Sequence, residues 1–201
     1  MYKAVIFDLG KVLVQFDFQR GYRALEGLCP YRAAEIPGRL AGSGLVPRFE
    51  TGLVEPREFV EQLSRILRME PDYDGFCRIW NSIFTEPIVP ERMLEGLALR
   101  YRLILLSNTN ALHFEAMRRN YPFLRHFHEL VLSYEVRAMK PDPAIFHEAV
   151  RRAGCLPGEC FYTDDIGAYV AAARGLGIDA VQFESVEQLG RELRQRGIVW
   201  E

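Results

Sequence analysis

The chain has 201 residues, 49% hydrophobic and 26% charged, enough for one core of ordinary size or a core with a small insert. Its formal net charge of −2 offers no basic field for nucleic acid or anionic lipid. No apolar run approaches the ~20 residues of a membrane span, the first residues (MYKAVIFDLG) do not read as a signal peptide, and Cys29, Cys77, Cys155 and Cys160 form no Cys-x-x-Cys pair, so free thiols in a cytoplasmic protein are expected.

Lys3–Phe7 (KAVIF) is a short apolar run closed by Asp8 and Gly10, the pattern of a strand buried on both faces. From about Phe16 to Pro87 the sequence has helix-like segments at Phe18–Leu28, Pro56–Arg68 and Tyr73–Phe84 and no convincing buried strand. The strand pattern returns at Leu103–Leu106, Glu129–Leu132, Cys160–Tyr162 and Ala180–Phe183. Helical stretches lie at Pro90–Arg100, Ala111–Arg119, Pro143–Ala153, Ala168–Leu176 and Val186–Arg196, with Gly154 and Gly177 where C-caps belong. The alternation predicts an α/β fold, a doubly wound (Rossmann-like) parallel sheet. Residues 1–15 and 88–201 are expected to form the α/β core, and residues 16–87 a small all-helical cap inserted after strand 1. Such an insert stands over the carboxyl edge of the sheet, where open α/β folds bind ligands, and serves as a lid.

Four positions carry chemistry at the ends of these strands. Asp8 follows the first strand directly, where nucleophiles and metal ligands sit in open sheets; a turn cap is the plainer alternative. Ser107 (LLSNTN) offers a hydroxyl and following amides for a phosphate oxygen, or an N-cap. Lys140 (MKPDPAIF), one of three lysines in the chain, is fixed before a helix start and can neutralise a phosphate and a carboxylate together; a surface lysine is the alternative. Asp164 and Asp165 (CFYTDD) are two adjacent acids after a buried strand, costly unless they hold a cation or accept several hydrogen bonds. Magnesium suits such oxygen ligands, and a pair of acids at a helix start is the alternative. As a set they supply a nucleophile, a phosphate hydroxyl, a neutralising cation and a metal site, the parts of an aspartyl-phosphate mechanism.

With FDLGKVLV, LLSNTN, MKPDPAIF and FYTDDIGAYVAAARGLG in this order, the chain resembles the haloacid dehalogenase-like hydrolases over nearly its whole length. The stretch FETGLVEPREFVEQL resembles a recurrent segment of that family's helical caps. The resemblance implies a Mg²⁺-dependent phosphatase acting on a small-molecule phosphate ester, possible sugar phosphates included, with no nucleic-acid or membrane partner. It implies Asp8 as nucleophile and metal ligand, the Gly10 carbonyl and Asp165 as further ligands, and Asp164 binding metal or its water. It also implies Ser107 and the Asn108 amide as the phosphate cradle, and Lys140 paired with Asp8 and the phosphate. Two positions depart from the family pattern. Gly10 stands where most of its phosphatases have a second Asp as general acid and base, and Tyr169 stands where an Asn is common.

The missing acid admits two other readings, a 2-haloacid dehalogenase and a non-catalytic binder of phosphate ligands; the Asp164–Asp165 pair argues against the first. Asp17 is a potential substitute acid, and Asp17, Arg20 and Trp80 are candidate substrate contacts. Oligomeric state is not legible in the sequence.

Overall fold

The computed structural model describes residues 1–201. In chain order its elements are β1 (Ala4–Phe7), β2 (Val14–Phe16), α1 (Phe18–Glu26), α2 (Ile36–Ser43), α3 (Leu45–Glu50), α4 (Pro56–Leu67), α5 (Tyr73–Asn81) and β3 (Phe84–Pro87). There follow α6 (Glu91–Ala98), β4 (Arg102–Ser107), α7 (Ala111–Asn120), β5 (Glu129–Leu132), α8 (Ser133–Val136), α9 (Pro143–Ala153), β6 (Cys160–Asp164), α10 (Gly167–Gly175), β7 (Asp179–Gln182) and α11 (Val186–Gln195).

Every side chain of β1 is apolar and fully buried, the condition of a central parallel strand covered on both faces. It pairs in parallel with β4 on one side and β6 on the other, and β5 and β7 complete a five-stranded sheet in the order β5-β4-β1-β6-β7. The period of two along the strands divides the core. Val5, Phe7, Leu103, Leu105 and Phe161 face one way and pack with Leu94 of α6, Phe114 of α7 and Leu193 of α11. Ala4, Ile6, Ile104, Leu106 and Tyr162 face the other way, against Ile145 and Phe146 of α9 and Val170 of α10. This is the doubly wound sheet expected from the alternating sequence.

The segment between β1 and α6 departs from the expected pattern in one respect. No strand is expected from Phe16 to Pro87, and Phe84 reads as the end of a helix. Instead α5 stops at Asn81, and Phe84–Pro87 runs antiparallel to β2 as a two-stranded ribbon. Each strand of the ribbon is too short for a periodicity to register. Between the ribbon strands lie α1 to α5, whose Leu25, Phe49, Phe59, Leu63, Phe76 and Trp80 form a separate apolar cluster. The Phe49 and Phe59 rings stack at 4.0 Å within it.

Two polar residues fasten these helices to the sheet domain. Ser133, at the end of β5, accepts a hydrogen bond from Thr109 N–H and donates to the Glu50 carbonyl at 2.6 Å. His113 of α7 stacks on Trp80 of α5 at 5.2 Å and meets Phe84 edge-on. Its tautomer follows from its neighbours. Asn110 Oδ1 accepts from His113 N–H as the N-cap of α7, which leaves Asn110 Nδ2 to donate to His113 Nδ1. The imidazole proton therefore lies on Nε2, which donates to the Trp80 carbonyl. Burial holds the His113 pKa down at about 4. A group with a depressed imidazole pKa favours folding above the unfolded value of 6.5, and that contribution fades as pH falls toward 4. Acidification from pH 7 to pH 5 is expected to cost about 2 kcal/mol through this residue alone. Urea unfolding of wild type and His113→Gln at both pH values isolates that share from carboxyl groups titrating in the same range. Equal pH dependence in the two proteins would remove His113 from the account.

Candidate active site

Parallel pairing brings the carboxyl ends of β1, β4 and β6 side by side, and with them Asp8, Ser107 and Asp164. Asp8 is the first residue past β1 and is tied to β6 by its N–H on the Thr163 carbonyl. Lys140 reaches the same point from the loop before α9. Its ammonium lies 2.6 Å from Asp8 Oδ1 and 2.6 Å from Asp164 Oδ2, with 1% of its side chain exposed. The surface-lysine alternative is thereby excluded.

The ion group is charge-rich and dry. Burial raises the Asp8 carboxyl despite the pull of Lys140, and Asp164 adds to the rise. Burial alone would lower the Lys140 ammonium, but Asp8 and Asp164 outweigh it and hold it above its ordinary value. Asp164 is heavily engaged: Oδ2 also accepts from the Tyr162 hydroxyl, and Oδ1 accepts from Ile166 N–H. Asp165 is half-buried, and burial followed by Asp164 raises its carboxyl. Oxygens of Asp8, Asp164 and Asp165 all lie within 4.8 Å of one another. Three carboxylates against one lysine leave negative charge uncompensated, and hard oxygen donors suit Mg²⁺. The residues present therefore fit a divalent cation, with Asp8 and Asp165 the less committed of the three.

Ser107 is buried but makes no side-chain hydrogen bond and is not the cap of α7, a place Asn110 holds. It lines a cavity of about 80 Å³ together with Gly10 and Asn108. The Asn108 side chain does something the sequence did not suggest. Its Oδ1 accepts from Lys140 N–H at 2.8 Å, and its Nδ2 donates to the Lys140 carbonyl at 3.0 Å. Asn108 thus clamps the backbone of the lysine from both sides. Tyr169 lies over the lysine, its ring centroid 5.2 Å from Nζ.

A Cβ on Gly10 would lie 2.6 Å from Cε1 of Phe16, so the ring of β2 fills the space where an acidic side chain at that position would begin. Asp17 does not line the small cavity at Ser107. It is exposed and serves as N-cap of α1, accepting from Gln19 N–H. Arg20 is exposed on α1, whereas Trp80 is buried among the inserted helices and lines an apolar cavity there.

With this geometry in place the comparisons with known proteins are decisive. A family model described as haloacid dehalogenase-like hydrolase matches residues 2–177. The chain belongs to the haloacid dehalogenase-like hydrolases. Among its relatives is a D-ribitol-5-phosphate phosphatase of Bacteroides thetaiotaomicron, 28% identical over 96% of this chain and 97% of that one. A family enzyme from the same organism, solved in complex with magnesium and inorganic phosphate, has a TM-score of 0.81 at 28% identity, covering 92% of this chain and 96% of its own. A predicted HAD-like hydrolase of Porphyromonas gingivalis gives 0.85 at 27% identity over 96% and 98%. No helix of this family member is long and apolar enough to cross a membrane.

Removal of the Lys140 ammonium is costly for the fold, because Asp8 and Asp164 lose the cation between them. Lys140→Ala leaves two buried carboxylates without their cation, a loss of about 3–5 kcal/mol for a broken buried pair. Adding Asp164→Asn to that variant is expected to recover part of the loss, because one stranded charge is gone. Urea unfolding of the single and double variants measures this, and a double variant less stable than Lys140→Ala would contradict it.

Proposed function

We propose that the protein is a Mg²⁺-dependent phosphatase that hydrolyses a small phosphate monoester, sugar phosphates among the candidates, through an aspartyl-phosphate on Asp8. The observation that carries this reading is the buried ion group of Asp8, Lys140 and Asp164 at the carboxyl edge, with Asp165 beside it and Ser107 uncommitted. The named phosphatase among its relatives, and the neighbour holding magnesium and phosphate, support the same chemistry.

In this reading Asp8 attacks phosphorus with the oxygen that Lys140 does not occupy. Lys140 keeps that carboxylate oriented and offsets charge on the transferring group, work a fixed cation does well in a site shielded from water. Ser107 and the Asn108 amide hold the phosphoryl oxygens, while the Asn108 side chain keeps Lys140 from retreating. Asp8, Asp165 and the Gly10 carbonyl would hold Mg²⁺, with Asp164 as support, and the metal would clamp and neutralise the phosphoryl group. Asp164, fixed by Tyr162 and Ile166, balances the lysine. Residues 16–87 act as a cap over the leaving group.

Hydrolysis of p-nitrophenyl phosphate is expected with Mg²⁺, to vanish with excess EDTA and to return on adding metal. Asp8→Asn keeps the shape but lacks the nucleophile, and its turnover should fall to background. Hydrolysis surviving chelation would overturn the Mg²⁺ dependence, and halide release from a 2-haloacid without metal would overturn the phosphatase reading in favour of a dehalogenase. Binding of phosphate esters with no turnover would favour a non-catalytic protein.

A further inference from the structure

Proton transfer to the leaving group is the one task for which the site above holds no residue. Gly10 has no side chain, Phe16 fills the space beside it, and Asp17 caps α1. A cavity of about 400 Å³ lies among the inserted helices, walled by Phe18, Leu25, Leu40 and Trp80. That volume suits a small ligand. The small cavity at Ser107 and Gly10 shares Phe18, Glu50, Ile83 and His113 with it. The shared residues stand where the two cavities adjoin, the passage an ester reaching from one to the other would use. An ester whose phosphate lies at Ser107 and whose leaving group enters the chamber has its breaking bond in that passage.

The titratable side chains lining the two cavities are Tyr22, Glu50 and His113. His113 is spent, with Nδ1 accepting from Asn110 and Nε2 donating to the Trp80 carbonyl. Tyr22 lines the chamber but not the small cavity, and burial pushes its hydroxyl further up. Glu50 lines both, is half-buried, and its carboxyl forms no ion pair and no hydrogen bond with the protein. Its backbone is nevertheless fixed to the cradle. The Glu50 carbonyl accepts from Ser133, whose oxygen in turn accepts from Thr109, two residues past Ser107. Gly52 holds the turn that follows at a positive φ of 66°, in a space against the Tyr134 carbonyl where no Cβ fits.

We propose that Glu50, reaching in from α3, is the general acid and base of this enzyme, the catalytic residue that Gly10 cannot be. The inference rests on the phosphatase reading. As Asp8 attacks phosphorus, the P–O bond to the leaving group breaks and its electron pair leaves with the alkoxide. The alkoxide takes the proton of Glu50 and departs as an alcohol, and Glu50 becomes a carboxylate. A water then attacks the phosphoryl group and gives one proton to Glu50. The P–O bond to Asp8 breaks with its electrons returning to that carboxylate, so phosphate leaves and both acids are restored. Burial lifts the Glu50 carboxyl to about 7, a value at which both forms are populated near neutrality.

The test is kcat/KM, with Mg²⁺, for p-nitrophenyl, phenyl and benzyl phosphates, whose leaving groups become progressively more basic. Wild type should show a shallow dependence. Glu50→Gln should lose ~10²-fold or more on benzyl phosphate and far less on p-nitrophenyl phosphate. Glu50→Asp, which keeps the acid but retracts it, should fall between. Quenched Glu50→Gln should also retain a phosphoryl group detectable by mass spectrometry, since its second half-reaction lacks a base. Thermal unfolding of each variant checks the fold, and a Glu50→Gln that does not fold leaves Glu50→Asp to decide. Parallel slopes in wild type and variants, or a wild type as steep as Glu50→Gln, would overturn the role of Glu50. A wild type with no Mg²⁺-dependent turnover of p-nitrophenyl phosphate would instead overturn the phosphatase reading beneath it.

Discussion

The structure turns on one buried cation. Lys140 is almost wholly out of water, between two carboxylates at 2.6 Å each. Isolated ions at such depth cost several kcal/mol apiece, and only close geometry with every donor placed repays that. The fold provides the geometry from four separated stretches of chain: Asp8 after β1, Asp164 at the end of β6, Leu106 of β4, whose carbonyl takes a third hydrogen bond from the ammonium, and the loop before α9. Parallel pairing fixes the first three to each other, because a register slip would carry them off the carboxyl edge. The loop is not part of the sheet, and Asn108 supplies what the sheet cannot, by gripping the Lys140 backbone on both its N–H and its carbonyl. The order of the sheet, with β1 between β4 and β6, is thus the arrangement that makes the ion group affordable.

A second level of structure holds the inserted helices against this edge. Their apolar cluster is largely their own, with Leu112 joining it from α7. Two polar links set their position. Ser133 connects Glu50 to Thr109, and His113 connects Trp80 to the cap of α7. Both links reach the loop and helix that follow Ser107. Ser107 and Asn108 and the residues that wall the chamber are therefore linked through the same short stretch, 107–113.

Much of the sheet was legible because its signals are dense and redundant. Each of the five strands has an apolar centre, and helices between them carry apolar stripes, as at Met93, Leu94 and Leu97. The cluster of Asp8, Ser107, Lys140 and Asp164 was legible as a set because strand ends in a parallel sheet converge on one edge. What was not legible has a common character. The ribbon of β2 and β3 joins residues about seventy positions apart with almost no local pattern. The Asn108 clamp and the Tyr162 contact to Asp164 are side-chain choices made by three-dimensional neighbours. Helices α2 and α3 were hidden by Gly38, Gly42 and Gly44, residues that argue locally against a helix but stand where packing around Leu40 and Phe49 overrides them, while Pro37 and Pro47 fall in first turns that tolerate proline.

The same limit explains why Gly10 read as a loss. In sequence, a glycine where relatives of the family carry an acid is a gap. In three dimensions it is a position that Phe16 has filled, and Phe16 in turn packs on Phe18, which walls the passage toward the chamber. An acidic side chain at residue 10 would require the Phe16 ring to shift. Glu50, the last residue of α3, lines the cavity at Ser107 as well as the apolar chamber. Its carboxyl is free of protein partners, and its backbone is tied through Ser133 to Thr109 in the loop after Ser107. That carboxyl is half-buried, so burial raises its pKa while part of it stays open to solvent or a ligand. A carboxyl in that state, lining both cavities, is suited to the proton exchange proposed for it.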